Sequence, residues 1–82
     1  MRARVAVVKI NDKYHMRQRV AYGPLQEKEL ETITDGEIII SLTGDGERSP
    51  AHRDFIDDLH DEATRQAREL GIKKVHGLYN DD

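Results

Sequence analysis

The period of hydrophobic positions changes along this chain, and each stretch of one pattern predicts an element. Residues 2–10, RARVAVVKI, are dense in β-branched side chains and predict a strand. In residues 14–22, Tyr14, Met16, Gln18, Val20 and Tyr22 alternate with His15, Arg17, Arg19 and Ala21. A period of two predicts a second strand, with Tyr, Met and Val toward a core and His and Arg toward solvent. Asn11-Asp12-Lys13 between them is turn-like, because Asn and Asp tolerate left-handed backbone. The two strands therefore predict an antiparallel hairpin.

Gly23-Pro24 ends the hairpin. Residues 25–33, LQEKELETI, are acidic, with apolar positions at Leu25, Leu30 and Ile33. Two outcomes stay open for them: a short helix with Pro24 in its first position, or an irregular connector covering an edge of the sheet. Thr34-Asp35-Gly36 is a turn. Glu37 to Leu42 contains Ile38, Ile39 and Ile40 in succession, the pattern of a central strand buried on both faces.

A helical period follows, from Ala51 to Leu70. Ser49 is a suitable cap and Pro50 suits the first helical position. Phe55, Ile56, Leu59, Ala63, Ala67 and Leu70 share one face, and Asp54, Asp57, Asp61, Arg65 and Arg68 lie opposite. Asp61 and Arg65 are spaced to pair at i,i+4. Gly71 closes the helix, and Ile72 to Tyr79 predicts a last strand. Strand 37–42, the helix and strand 72–79 form a βαβ unit in this reading, with a right-handed return. The expected fold is α+β, one domain over residues 1–82. It is a small mixed four-stranded sheet, an N-terminal hairpin plus a C-terminal βαβ unit, with one long amphipathic helix on one face.

Composition narrows the function. No cysteine is present among the 82 residues, which excludes disulfides and thiolate metal sites. The apolar run Val5–Val8 is too short for a signal peptide and no span of ~20 apolar residues occurs, so a cytoplasmic protein is expected. The core is built from Val, Ile, Leu and Ala, with one Phe and no Trp. So small a core, half covered on one face, predicts a homodimer.

Charge divides along the chain. Residues 1–23 carry six basic side chains against Asp12, a balance of 6 − 1 = +5, and residues 24–82 carry 7 − 15 = −8. Either the halves attract one another, within a molecule or between two, or the basic half meets an external acidic partner. In the second case Arg2, Arg4, Lys9, Arg17 and Arg19 would form a nucleic-acid-binding ribbon. Exposed strands also carry Arg and Lys simply to discourage edge-to-edge association.

The remaining chemistry gathers after the isoleucine strand. Ligands of open α/β sheets bind beyond the carboxyl ends of parallel strands. Gly44, Asp45, Gly46, Arg48 and Ser49 would lie there, with His52 one turn into the helix and His76 reaching the same edge. The glycines permit close backbone approach, the helix start favours an anion, and Arg48 adds a bidentate donor. A phosphate- or nucleotide-like ligand is the functional reading. The structural one is a Gly-Asp-Gly turn with a helix cap and a packing histidine.

The loop matches neither a P-loop nor a dinucleotide fingerprint. A metal would have to use His52, His76 and Asp45, or His60 with Asp57. Neither set has His-x-x-x-His spacing, so no metal and no cofactor is predicted. No nucleophile elbow is visible. The leading expectation is a non-enzymatic binding module, of the size and composition of compact phage accessory proteins, occupied by a protein partner or a small anionic ligand. The competing expectations are a nucleic-acid binder using the hairpin and a small phosphate-handling enzyme using the Gly44–His52 edge.

Overall fold

The computed structural model describes residues 1–32, 36–46 and 52–77, with backbone only for 52–54. Three strands, β1 (Arg2–Ile10), β2 (Lys13–Ala21) and β3 (Glu37–Asp45), form an antiparallel sheet in the order β2-β1-β3. A short helix α1 (Pro24–Glu27) runs into a 3₁₀ turn (Lys28–Thr32), and α2 (His52–Glu69) is the long helix. The fold is therefore a small α+β domain with one long and one short helix.

The hairpin forms as its residues dictate. Asn11 and Asp12 have φ of 51° and 65°, and the strands pair from Ile10↔Lys13 to Arg2↔Ala21. Two consecutive positive φ values match the right-handed twist of the strands, which is why Asn-Asp suits this two-residue loop.

β1, not the isoleucine strand, is central and buried on both faces. Val5 and Val7 point toward α2, and Ala6 and Val8 point the other way; all four are fully buried. β3 is an edge strand, with Ile38 38% exposed. The reason for its apolar run is a bulge: Val7 faces Ile40 and Val8 faces Ile38, leaving Ile39 without its own partner. The extra residue lets the consecutive Ile39 and Ile40 both pack on the α2 side. A continuous apolar run here records a break in alternation rather than burial on two faces.

The expected fourth strand and βαβ unit are also corrected. α2 packs over β3 and β1 and ends in a Schellman arrangement, with Gly71 at φ +82°, Ile72 N donating to Ala67 O at 2.9 Å and Gly71 N to Arg68 O at 3.0 Å. Ile72 then enters the core beside Ala63 and Ala67. Residues 72–75 form no regular strand, and His76 makes a single parallel bridge with His15 of β2. The bridge runs in the direction of β3 but belongs to β2, on the far side of β1. Both sides of β1 are already taken, so the returning chain can pair only with an outer edge, and it reaches that of β2. Residues 78 and 79 of the expected strand lie outside the described residues, as do Ser49 and Pro50.

Segment 24–32 covers a face, not an edge. Leu30 is 3% exposed, and its carbonyl accepts a 2.6 Å bond from Arg4 Nη1, on the side of the sheet opposite α2. Arg4 Nε also donates to Ser41 Oγ at 2.9 Å, tying β1, β3 and this strap together. Leu25 is 85% exposed and takes no part in the core. On α2, Leu70 is exposed where the helix ends, and Arg65 pairs with Glu62 and Glu69 rather than Asp61. No helix among the described residues is long and apolar enough to cross a membrane.

Candidate functional site

Of the residues expected at one sheet edge, Gly44, Asp45 and Gly46 lie together and His76 does not join them. Gly44 pairs with Ala3 and Asp45 with Arg2, at the end of the sheet where β2 finishes in Ala21. His76 lies beside His15, which faces Val8, at the opposite end and on the opposite edge. It is therefore not part of a site with Gly44–Gly46. Arg48 and Ser49 lie outside the described residues, as does the side chain of His52. What the structure does show at this edge is close packing. A Cβ on Gly46 would stand 2.2 Å from two Phe55 ring carbons, and one on Gly44 would meet Leu59 at 3.3 Å. The two glycines let the helix lie tightly against β3. Asp45 carries a loose ion pair with Arg2, at 4.0 Å, and Gly46 N donates to Met1 O at 2.9 Å.

The hairpin cations divide by strand parity. Arg2 and Arg4 of β1 share the face opposite α2 with Arg17 and Arg19 of β2, and Arg4 stands directly across from Arg19. Lys9 belongs to the other face. It lies over Tyr14, with Nζ 5.8 Å from the ring centroid, and 4.0 Å from Asp12. The shared face is not an open basic ribbon. Glu27 and Glu31 of the strap line one cleft with Arg2, Arg4, Leu30, Ser41 and Thr43. Glu27 and Asp45 line a second with Arg2 and Tyr22. Arg17 Nη1 turns back to Met16 O at 3.4 Å.

A different group of cations is drawn together by the tertiary structure. Between the C-terminal half of α2 and residues 72–77 lies a cleft of ≈ 410 Å³. Arg68, Lys73 and Lys74 line it, with His60 and Thr64 as further polar groups and Met16, Ala67, Ile72 and Val75 as apolar ones; no carboxylate is among its described lining residues. Its volume falls in the range of small-molecule sites, ~300–1,000 Å³. The Schellman turn builds it: Ile72 is pinned under the helix end, which sets Lys73 and Lys74 beside Arg68 of the last turn.

His60 and Thr64 are held by the protein. Thr64 Oγ1 donates to His60 O at 2.9 Å, and His60 Nε2 lies 2.5 Å from Gln18 Oε1, the imidazole N–H donating to the amide oxygen. Burial lowers the His60 pKa from its ordinary value, against opposing pulls from Asp57 and Asp61. Among the described residues no group of three or more His, Asp or Glu is placed to hold a metal ion.

The Arg68–Lys73–Lys74 group stands outside the residues that the sequence marks for a ligand, although a signal exists. A basic side chain in the last turn and two more just past the glycine stop are usual complements of a helix C-terminus. Nothing in the linear pattern says that they line a cleft. Comparison with known protein families, curated proteins and solved structures finds no match.

Proposed function

We propose that this chain is a small non-enzymatic binding module for a compact anionic ligand, seated in the cleft between α2 and residues 72–77. The observation that carries this reading is the unbalanced lining: Arg68, Lys73 and Lys74 without a facing carboxylate among the described lining residues. Cations in a partly apolar concavity attract an anion more strongly than the same cations on a flat surface, because low-dielectric walls focus their field. The apolar side chains Met16, Ala67, Ile72 and Val75 suit a ligand with an organic body as well as a charged group. The cleft's hydroxyl and the Nε2 of its imidazole already have protein partners, which favours binding over nucleophilic chemistry.

The nucleic-acid reading has less support, because Glu27 and Glu31 sit with Arg2 and Arg4. The homodimer remains part of the proposal, on the ground of the small core and the outer edge of β3, which pairs with no strand among the described residues. Light scattering that stays at the 9.4 kDa of one chain on concentration overturns it.

The test of the anion site is a thermal-shift series with inorganic phosphate, a nucleoside monophosphate and citrate. The wild type should gain ~2.7 kcal/mol at a hundredfold excess of a true ligand over its dissociation constant. Lys73→Ala with Lys74→Ala should remove the gain, and Arg48→Ala should retain it. If Arg48→Ala alone removes it, the seat is the Gly44–Ser49 loop. If no probe stabilises the wild type, the anion reading fails.

A further inference from the structure

His15 and His76 offer a second kind of chemistry, independent of the anion cleft. The two residues come from opposite ends of the chain and meet across a parallel bridge. Met16 N donates to His76 O at 2.7 Å and His76 N donates to Tyr14 O at 2.8 Å, so the backbone under both side chains is held on two sides. Val75 packs into the core on the α2 side, and the following residue projects to the other face. His15, next to Met16 in β2, projects there too. The imidazoles consequently stack, with centroids 5.1 Å apart and planes inclined by 26°. Both side chains are partly exposed, open to an ion from solvent.

We propose that His15 and His76 form a two-imidazole chelate for a borderline divalent transition metal, Zn²⁺, Ni²⁺ or Cu²⁺, with water in the remaining positions. A tetrahedral ion about 2.0–2.1 Å from one nitrogen of each ring places the ring centroids roughly 5 Å apart. The observed spacing of 5.1 Å already meets that requirement. Only side-chain torsions have to turn for a nitrogen of each ring to face the ion. Imidazole is a preferred ligand of these three metals, and the hard, oxygen-seeking Mg²⁺ and Ca²⁺ have no reason to bind here. Bound metal would add a side-chain clip between residues 72–77 and β2 to the backbone bridge at His76.

The test uses the full chain, titrated with NiCl₂, ZnCl₂ and CuCl₂ in a non-chelating buffer. One ion per chain should bind, the melting temperature should rise, and EDTA should reverse the shift. His15→Ala and His76→Ala should each lower the affinity at least tenfold, and His60→Gln should not. Ring-proton NMR of the wild type avoids any variant that folds poorly: substoichiometric Cu²⁺ should broaden the His15 and His76 signals first. Unchanged affinity in both alanine variants overturns the proposal. So does broadening centred on His52 or His60, or no thermal shift with any of the three ions.

Discussion

The basic face of the hairpin and the cleft behind α2 are both lined by cations, yet the fold treats them oppositely. Residues 1–23 are the basic part of the chain, and the acidic strap that follows them lies over the β1 end of their basic face: Glu27 and Glu31 line a cleft with Arg2 and Arg4, and Arg4 binds the strap backbone at Leu30. The cleft belongs mostly to the acidic part of the chain, yet Arg68, Lys73 and Lys74 line it with no carboxylate among the described lining residues. Net charge of a segment is a sum, whereas a ligand meets the local potential. A fold that brings opposite charges into contact cancels the first kind of patch, and a turn that gathers like charges creates the second.

Removing the anchor of the strap should give the largest effect. Leu30→Ala deletes a buried side chain and should cost ~2–5 kcal/mol in denaturant unfolding. It should also loosen Glu27 and Glu31 from Arg2 and Arg4, so that the variant is retained on heparin to a higher salt concentration than the wild type. Equal retention of the two proteins breaks the comparison, because the strap would then not be what neutralises that face.

Arg4→Ala should come next. It removes two hydrogen bonds from a charged donor and leaves a carbonyl of the strap without that partner, for a loss of ~1.5–3 kcal/mol. Lys73→Ala with Lys74→Ala provides the contrast. Both lysines are exposed, and the double variant should unfold within ~0.5 kcal/mol of the wild type while losing anion binding. If the lysine pair destabilises as much as Arg4→Ala, its charges serve the fold and the cleft loses its claim to be a site.

The smallest effect concerns pH. Burial lowers the folded-state pKa of His60 below its ordinary 6.5, so the unfolded chain takes up the proton first on acidification. The stability this provides is complete above the ordinary value and is lost as the pH falls through the lowered one. Between about pH 7.5 and about pH 5.5, the wild type should lose more stability than His60→Gln. A bound anion beside Arg68 favours the protonated ring, so binding should be accompanied by proton uptake, seen as buffer-dependent heats in calorimetry. Identical pH profiles for the two proteins would remove His60 from the account of this cleft.

Much of the local structure was legible from residue order. The hairpin followed from alternation over 14–22 and from Asn-Asp between the strands. The long helix followed from its apolar spacing, with Gly71 at its end. The misread elements share one cause, which is that local patterns do not name their neighbours. Ile38-Ile39-Ile40 was read as burial on two faces, whereas a bulge places two of the three on the same side. Residues 72–79 read locally as the returning strand of a βαβ unit, whereas 72–75 form no regular strand and the bridge at His76 is to β2. Of the residues expected at the Gly44–His52 edge, His76 lies at the far end of the sheet, and Gly44 and Gly46 make room for Phe55 and Leu59.

By itself the sequence determined where the chain turns, which stretches are extended or helical and which face of α2 is apolar, because these depend on side chains within a few residues of one another. Only the tertiary structure decided which strand is central, where the strap lies, which charges cancel and which histidines meet. Those outcomes depend on pairing between distant segments: once β1 has taken both of its partners, the returning chain can reach only an outer edge, and at that of β2 His76 meets His15.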